Sequence, residues 1–431
     1  MADHSRSRFP VAHARQPGGE RAEFSQGLNE PVARSLEYWA VARGDHPALF
    51  EGTASLTYRD WNEYADMLAD AFTSRGLGHD DVIAVRCRNR IEWAVIALAC
   101  AKIDAQLVTL DPDLTPRVLR QRLIASRAAA AIIGDTAPVR LAPALEGLPL
   151  RLRASMDGAY PGFFNFWDLF PPVAQPRFGR AQPSLLAWTS GIGERAVALP
   201  RRRAAPASVS KPPVPDTGVS LITVPMNRVW GCVQFWAALS AGRAVAFMRH
   251  FKPEATLELI RARAVTHWWA LPETFAELHR LGDERVRAAG CSSLRDIVIG
   301  GAPVPLKLKA WLTAMFGTAV SEAYGSTETG LISVIPSANF DARRGSCGRP
   351  IRGAAVEIRD ADGRRLPPGA VGEVWARTQR TLECEIGGAG DARRDEDGFV
   401  ATGDAGCVDA DGYIYLTGRA FDLPAPRSQA G

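Results

Sequence analysis

The spacing of apolar residues predicts alternating strands and helices in the first part of the chain. Short apolar runs at Asp81–Cys87, Gln106–Leu110 and Ala128–Ile133 predict buried strands. Between them, Ile91–Ile103 and Pro116–Ser126 have the length and apolar spacing of helices. Strands that alternate with helices of this length indicate βαβ units and a parallel sheet.

Two amphipathic helices are predicted ahead of these units. Apolar residues recur at helical spacing over Glu30–Ala42 and Tyr58–Arg75, and the second helix begins directly after Thr57. Two later segments lack a regular period. Residues 135–182 are rich in proline and aromatic residues and are predicted to link two subdomains. Residues 201–218 are proline-rich and basic and are predicted to form a loop.

The alternation of strands and helices resumes after residue 220. Four apolar runs predict strands and three longer stretches predict helices. In chain order, these elements are the strand Leu221–Val224, the helix Val229–Ala241, the strand Ala244–Met248, the helix Pro253–Ala262, the strands Thr266–Leu271 and Asp296–Ile299, and the helix Pro305–Phe316.

The period changes to two after about residue 340. Apolar and polar residues alternate in Ala355–Arg359, Val371–Arg377 and Gly406–Thr417. Asp-Gly pairs at 362–363, 397–398 and 411–412 separate these stretches and favour hairpin turns. The predicted fold class is therefore α/β, with two βαβ-type subdomains built on mainly parallel sheets and a small antiparallel β-subdomain.

These patterns set the predicted domain limits. Residues 1–27 are polar and arginine-rich without the apolar stretch of a signal peptide, so a disordered tail is predicted. The first α/β subdomain is predicted over 28–182, the second over 183–340 and the β-subdomain over 341–422. Residues 423–431 are predicted to be a tail.

Composition narrows the class of protein. Hydrophobic residues make up 46% and charged residues 23% of the 431 residues, which is typical of a globular protein. The net charge is only +4, and no basic stripe alternates with aromatic residues, so a nucleic-acid partner is not predicted. The longest apolar run, Trp93–Ala101, is too short to span a membrane.

The cysteines and histidines predict a reducing environment and no structural metal site. The 7 cysteines are odd in number and dispersed, and none forms a C-x-x-C pair, which favours buried, reduced thiols in a cytoplasmic protein. The histidines are equally scattered, and His267 and His279 are too far apart for a zinc-binding pair on one helix.

Three motifs near the end of the chain carry candidate chemistry. They are Tyr324-Gly-Ser-Thr-Glu328, Thr402-Gly-Asp404 and Gly418-Arg419. A carboxylate can accept two hydroxyl donors at once, and Mg²⁺ prefers carboxylate and phosphate oxygens. The order and spacing of these motifs resemble the adenylate-forming acyl-CoA synthetases and aryl-CoA ligases, which activate a carboxylic acid with ATP.

The resemblance implies a role for each motif residue. Tyr324 would pack on the adenine, Thr327 would contact the α-phosphate, and Glu328 would hold Mg²⁺. Asp404 would accept both ribose hydroxyls, and Arg419 would also reach the ribose. Thr327 and Glu328 are thus the candidate catalytic residues of these motifs.

Two glycine-containing turns extend the resemblance. Leu186–Val197 resembles the family's phosphate-binding loop, in which glycines and hydroxyls close around phosphate oxygens. Thr189, Ser190 and Gly191 match that loop. The remainder is shorter than the family pattern, and Arg195, a candidate catalytic cation, stands where the family has lysine. In the second turn, Gly301 and Ala302 follow a predicted strand, where the family turn flanks the adenine and the acyl group.

A further segment, Pro225–Gly231, resembles part of the family's acyl pocket. Arg228 stands where acyl-CoA synthetases often carry histidine, and its charge would repel the ammonium group of an α-amino acid. Trp230 would suit an aryl or acyl substrate. Trp236, Trp268 and Trp269 could serve the same purpose, although tryptophans at such spacings are more often core residues. Weaker landmarks of the family are Leu56–Trp61, Leu110–Pro116, Gly345–Pro350 and Gly369–Val374.

The resemblance implies ATP-dependent activation of a fatty or aryl acid, with ATP, Mg²⁺ and either CoA or phosphopantetheine as thiol acceptor. The family's mobile C-terminal domain, which carries a lysine used in the first half-reaction, is expected to be absent, and no lysine follows Lys309. We therefore expect impaired catalysis or completion by a carrier protein or a separate C-terminal-domain-like protein. The alternatives are a non-catalytic module that binds a nucleotide or acyl-adenylate, and a degenerate, truncated pseudoenzyme.

Overall fold

The computed structural model describes residues 32–136, 138–170, 184–188, 198–201, 216–326, 328–378 and 393–422. By their internal contacts these residues form two units, which divide between His250 and Phe251. The predicted subdomain limits at 182 and 340 differ from this division and stay predictions. The predicted tails at 1–27 and 423–431, and most of the predicted loop at 201–218, lie outside the described residues.

The first unit alternates helices and strands. Its helices are α1 (Val32–Ala42), α2 (Tyr58–Thr73), α3 (Ile91–Lys102), α4 (Pro116–Ala125), α5 (Ala142–Leu145) and α6 (Val229–Ala241). Its strands are β1 (Pro47–Glu51), β2 (Ala54–Thr57), β3 (Val82–Arg86), β4 (Gln106–Leu110), β5 (Ala128–Ile133), β6 (Leu152–Ser155), β7 (Phe164–Asn165), β8 (Ser184–Trp188), β9 (Ala198–Arg201), β10 (Val219–Ile222) and β11 (Ala244–Phe247).

Two sheets organise the first unit. A seven-stranded sheet has the order β7-β6-β5-β3-β4-β8-β9, and its neighbouring strands are parallel except for β8 and β9. A second set pairs in the order β10-β11-β1-β2, with β1 and β2 forming an antiparallel hairpin. The helix α3 is buried along its whole length, which explains its continuous apolar sequence.

The start of α2 shows how local sequence sets an element. The Thr57 side chain accepts a hydrogen bond from the Asp60 N–H, and the Asp60 carboxylate accepts one from the Thr57 N–H. This capping box satisfies donors that a helix N-terminus leaves without partners. The helix begins after Thr57, as the sequence predicted.

The second unit begins with helices and parallel strands and ends in antiparallel strands. Its helices are α7 (Pro253–Ala262), α8 (Pro272–His279), α9 (Asp283–Ala288) and α10 (Leu306–Phe316). Its strands are β12 (His267–Ala270), β13 (Asp296–Gly300), β14 (Val320–Ser326), β15 (Gly330–Pro336), β16 (Ser346–Pro350), β17 (Ala355–Arg359), β18 (Gly372–Arg377), β19 (Val400–Val408) and β20 (Ile414–Arg419).

These strands pair in the order β12-β13-β14-β15-β16-β20-β19-β18-β17. The first three are parallel, and the rest are antiparallel. The Asp-Gly pairs form turns in which Gly363, Gly398 and Gly412 adopt φ values of 80°, 83° and 83°. Their N–H groups bond back to a carbonyl three residues earlier, as in a tight turn.

The predicted α/β class is confirmed, with mainly parallel sheets and an antiparallel β-part. The prediction for residues 135–182 was incomplete. Within the described residues of that segment, β6 and β7 extend the parallel sheet beyond β5. Both strands are short, and Arg153 interrupts the apolar run of β6, so neither produced a clear pattern.

Candidate functional site

The hydroxyl of Tyr324 is hydrogen-bonded to the carboxylate of Asp404. Tyr324 lies on β14, and its ring belongs to the core cluster that includes Ile332, Val374 and Ile414. Only 8% of the residue is exposed. Its hydroxyl donates to Asp404 Oδ2 at 2.8 Å. Burial, reinforced by the charge of Asp404, holds the pKa of Tyr324 well above its usual value, so the hydroxyl remains a donor.

The β19–β20 hairpin brings Arg419 to the same carboxylate. Asp404 and Arg419 are directly opposite each other in the register of the two strands. The Arg419 guanidinium donates through Nη1 to Asp404 Oδ1 at 2.6 Å. Gly403 has a φ of 73°, and a Cβ there would lie 3.2 Å from Arg419 Nη2. Glycine at this position therefore permits both the backbone turn and the close approach of the guanidinium.

The Asp404 carboxylate keeps acceptor capacity for a ligand. An ionised carboxylate offers about four lone-pair positions, and Tyr324 and Arg419 occupy one on each oxygen. One position on each oxygen is left for two further donors. This matches the vicinal hydroxyls of a ribose, so the residues present fit the sugar that the sequence predicted.

Thr402 is a member of the site whose role the sequence did not reveal. Its hydroxyl donates to the Val374 carbonyl at 2.9 Å and accepts a bond from the Asp404 N–H at 3.2 Å. It also lies 3.3 Å from the Tyr324 hydroxyl. The sequence placed Thr402 in the motif, but its contacts depend on the pairing of β18 with β19.

A closed turn after β14 presents Glu328. The Ser326 and Thr329 hydroxyls lie 2.9 Å apart, and Thr329 is completely buried. Gly325 is required because a Cβ there would lie 2.2 Å from the Gly330 carbonyl oxygen. Glu328 is half-buried, and among the described residues its carboxylate has no hydrogen-bond or ion-pair partner. That carboxylate fits a ligand for Mg²⁺ bound to phosphate oxygens.

The glycine pair lies beside Tyr324. Gly300 on β13 is in register with Ala323 on β14, so Gly301 and Tyr324 follow at the same carboxyl edge of parallel strands. Ligands of α/β proteins commonly bind at such an edge. A Cβ at Gly300 would lie 2.3 Å from the Ala323 carbonyl oxygen, and Gly301 has a φ of 79°. Gly301 and the next residue, Ala302, are both exposed.

The structure thus brings Gly301, Tyr324, Asp404 and Arg419 to one region of the second unit, with Ala302 and Glu328 on the adjoining turns. Several predicted residues lie outside the described part of the chain, namely Thr189, Ser190, Gly191, Arg195 and Thr327. Their roles stay predictions.

Of the predicted acyl-pocket residues, Arg228 and Trp230 lie in the first unit, whereas Gly301 and Trp268 lie in the second. Arg228 is exposed and directly precedes α6, and Trp230 is half-buried within that helix. Trp268 is completely buried, with its ring centroid 4.7 Å from that of Phe275, so it is a core residue. The functions of Arg228 and Trp230 stay predictions.

A buried ion pair between α10 and β14 was not foreseen. Lys309 on α10 pairs with Glu322 on β14 and donates to the Ser346 carbonyl at 3.0 Å. Desolvation raises the pKa of Glu322, and the charge of Lys309 opposes that rise. The available signal was the position of Lys309 beside Leu308 and three residues before Leu312, on the apolar face of the helix.

The remaining side chains in the described part of the chain add no metal centre. No group of three or more His, Cys, Asp or Glu that could hold a metal ion occurs within the described ranges. The cysteines that the structure describes are free thiols, and burial raises the pKa of Cys347 to about 12. None of the helices within these ranges has the length and apolar character needed to cross a membrane.

Comparison with known proteins identifies the family. The sequence profile described as "AMP-binding enzyme" matches residues 36–384. The chain therefore belongs to the AMP-binding enzyme family, and its resemblance to the adenylate-forming enzymes is confirmed.

Individual relatives agree with this assignment. The chain is 26% identical to 4-coumarate–CoA ligase 3 of Oryza sativa subsp. japonica, over 90% of this chain and 74% of that enzyme. It is 27% identical to the fatty acid–[acyl-carrier-protein] ligase ScoC of Streptomyces coeruleorubidus, over 92% of this chain and 79% of that enzyme. The amide bond synthetase McbA of Marinactinospora thermotolerans superimposes with a TM-score of 0.78 at 26% identity, over 91% of this chain and 79% of that structure.

Proposed function

We propose that this protein binds ATP and a carboxylic acid and activates the acid as an acyl-adenylate for transfer to a thiol. The observation that carries the proposal is the Asp404 carboxylate. It is held between Tyr324 and Arg419 with one open acceptor position on each oxygen. The names of the relatives, a 4-coumarate–CoA ligase and a fatty acid–carrier-protein ligase, support the same reaction class.

The nucleotide would be held by residues of the second unit. Asp404 accepts the two ribose hydroxyls, and Arg419 supports that carboxylate and reaches the ribose. The adenine lies at the carboxyl edge of β13 and β14, beside Gly301, Ala302 and Tyr324. Because Tyr324 is largely buried in the core, only a small part of its surface is open to the adenine.

The phosphate chain would extend toward Glu328. Its unpartnered carboxylate would hold Mg²⁺, which supplies positive charge to the phosphate oxygens when bound. Thr327 is assigned to the α-phosphate, and Thr189, Ser190, Gly191 and Arg195 are assigned to the phosphate-binding loop. In the reaction, an oxygen of the acid bonds to the α-phosphorus while the bond to pyrophosphate breaks. Catalysis then rests mainly on alignment and charge neutralisation.

The acid is proposed to be a fatty or aryl acid. Arg228 is exposed, and among the described residues its guanidinium has no carboxylate partner. A free positive charge at the acyl pocket would repel the ammonium group of an α-amino acid. Trp230, two residues after Arg228 in the pocket segment, offers a flat apolar surface that suits an aryl group or an acyl chain.

The thiol acceptor is proposed to be CoA or the phosphopantetheine of a carrier protein. Lys309, the last lysine in the given sequence, is buried with Glu322 and is therefore committed to structure. The free cysteines favour a reducing compartment such as the cytoplasm.

The decisive assay is ATP–pyrophosphate exchange over a panel of fatty, aryl and amino acids. The proposal predicts exchange that depends on a fatty or aryl acid and on Mg²⁺. Exchange driven best by an α-amino acid would contradict the substrate assignment.

A second candidate function is a non-catalytic module that binds a nucleotide or acyl-adenylate. The shortened phosphate-binding loop, with Arg195 in place of lysine, favours it. Pyrophosphate exchange separates the two, since this candidate binds ATP without any acid-dependent exchange. A degenerate pseudoenzyme would show neither binding nor exchange.

A further inference from the structure

The Tyr324 hydroxyl is a fixed point against which the Asp404 side chain is oriented. The two residues are 80 positions apart in the chain. The Tyr324 ring is packed in the core of the second unit, and β14 is paired on both sides, with β13 and β15. The phenol oxygen therefore has little freedom to move relative to the β19–β20 hairpin, which packs on the same cluster through Ile414.

The other contacts of Asp404 do not fix the plane of its carboxylate. Thr402 accepts a bond from the Asp404 N–H and so holds the backbone. Arg419 contacts only Oδ1, and half of its side chain is exposed. Because a carboxylate rotates readily about its terminal bond, one mobile partner leaves its plane undetermined. A second, rigid donor on Oδ2 determines it.

We propose that Tyr324 is a positioning residue that sets the plane of the Asp404 carboxylate, and thereby makes the site selective for nucleotides with both ribose hydroxyls. With both oxygens held, the open lone pair on each one faces outward as a pair, which suits two vicinal donors. The inference rests on the proposed nucleotide binding and adds to it a residue that sets sugar selectivity. The raised pKa of Tyr324 supports it, because the hydroxyl keeps its proton across the physiological range.

The test is nucleotide binding by Tyr324→Phe, measured by titration calorimetry with ATP, 2′-deoxy-ATP and 3′-deoxy-ATP in the presence of Mg²⁺. The phenylalanine keeps the ring in the core and removes only the hydroxyl. Tyr415→Phe is the matched control, because the Tyr415 hydroxyl donates to Asp409 Oδ2 at 3.3 Å on the same sheet. Thermal unfolding of both variants shows whether the fold is retained.

For the wild type, we expect ATP to bind about tenfold more tightly than either deoxynucleotide. Each deoxynucleotide lacks one hydroxyl donor, and the loss of one hydrogen bond to a charged carboxylate weakens binding by about that factor. In Tyr324→Phe the Kd for ATP rises about tenfold, and both selectivity ratios fall at least threefold. Tyr415→Phe keeps the wild-type ratios. If Tyr324 had a purely structural role, its replacement would weaken the binding of all three nucleotides equally.

The outcomes separate the two claims. If the wild type binds ATP but the ratios in Tyr324→Phe fall by less than threefold, the positioning role is wrong while the proposed function stands. If the wild type binds none of the three nucleotides, the proposed function itself fails, and the inference fails with it.

Discussion

Lys309 on α10 forms an ion pair with Glu322, which lies two residues before Tyr324 on β14. The two side chains are 5% and 9% exposed. The ammonium also donates to the Ser346 carbonyl on β16, so one buried cation connects a helix with two strands of the second unit.

Removing the cation should destabilise the protein strongly. Lys309→Met leaves the Glu322 carboxylate buried without its partner, and breaking such a pair typically costs about 3–5 kcal/mol. Urea unfolding measures this loss in free energy of unfolding. Lys307→Met is the control, since Lys307 is exposed on the same helix and its replacement should change stability by less than about 0.5 kcal/mol. Equal losses in both variants would show that the ion pair is not the cause.

The same variant should acquire a steeper pH dependence. Burial raises the folded-state pKa of Glu322, and Lys309 lowers it. Without Lys309 this pKa rises further, so the folded state binds the Glu322 proton more tightly than the unfolded state does. Stability from that proton is complete below the unfolded pKa of about 4.3 and is lost as the pH rises through the folded pKa. The deficit of Lys309→Met against the wild type should therefore be smaller at pH 4 than at pH 7. A deficit independent of pH would contradict this.

Asp404→Asn should weaken nucleotide binding. The amide loses the charge and replaces one acceptor oxygen with a donor nitrogen, which cannot satisfy both a ribose hydroxyl and the donors Tyr324 and Arg419. Hydrogen bonds to a charged group are worth about 1.5–3 kcal/mol, so we expect the Kd for ATP to rise about 10- to 100-fold in calorimetry.

The matched control for that change is Asp411→Asn. Asp411 lies in the turn between β19 and β20 and accepts a bond from Arg343 Nη2 at 2.6 Å, in another aspartate–arginine pair of the second unit. Its replacement should leave the Kd for ATP unchanged. A similar loss in both variants would mean that charge on the sheet, rather than the Asp404 contact, governs binding.

Glu328→Gln should change the response to Mg²⁺. A neutral amide is a poorer ligand for a hard cation, so the Mg²⁺ concentration giving half-maximal pyrophosphate exchange or ATP binding should rise at least about tenfold. Glu396→Gln, at an exposed carboxylate on the β-part of the unit, should have no such effect. An unchanged Mg²⁺ requirement in Glu328→Gln would remove Glu328 from the metal site.

Gly301→Ala should affect both stability and binding. Its φ of 79° disfavours a side chain, and the added Cβ would lie 2.9 Å from Leu271 Cδ2. Gly290→Ala is the control, because Gly290 has a φ of 69° with nothing within 4 Å. Both variants should lose about 1–2 kcal/mol of stability from the backbone, but only Gly301→Ala should also weaken ATP binding. Normal ATP binding by Gly301→Ala would exclude the glycine pair from the nucleotide site.

The sequence predicted secondary structure best where the pattern of apolar and polar residues was uninterrupted. The limits of Gln106–Leu110, Ala128–Ile133 and Ala355–Arg359 were predicted correctly. The first two strands are apolar and almost entirely buried, and the third alternates apolar and polar residues after Ala355. The helix Asp283–Ala288 was missed, since Val286 is its one buried residue and a single apolar position creates no stripe. The β1–β2 hairpin was also missed, as its strands are short and carry no strong turn signal.

In the candidate site, too, local motifs could be predicted from the sequence, whereas contacts between distant segments could not. The motifs holding Asp404 and Arg419 could be found because they belong to one hairpin, whose register an Asp-Gly turn sets. The bond from Tyr324 to Asp404 joins strands 80 residues apart, and the contact of Lys309 with Glu322 joins a helix to a strand. Such contacts depend on tertiary packing, which the periodicity of a single segment does not contain.

The most direct test of the account is a crystal structure of the protein with ATP or a stable acyl-adenylate analogue. We expect both ribose hydroxyls within hydrogen-bond distance of the Asp404 carboxylate, and the adenine beside Gly301 and Tyr324. A nucleotide bound elsewhere, with Asp404 contacting only Tyr324 and Arg419, would contradict the account.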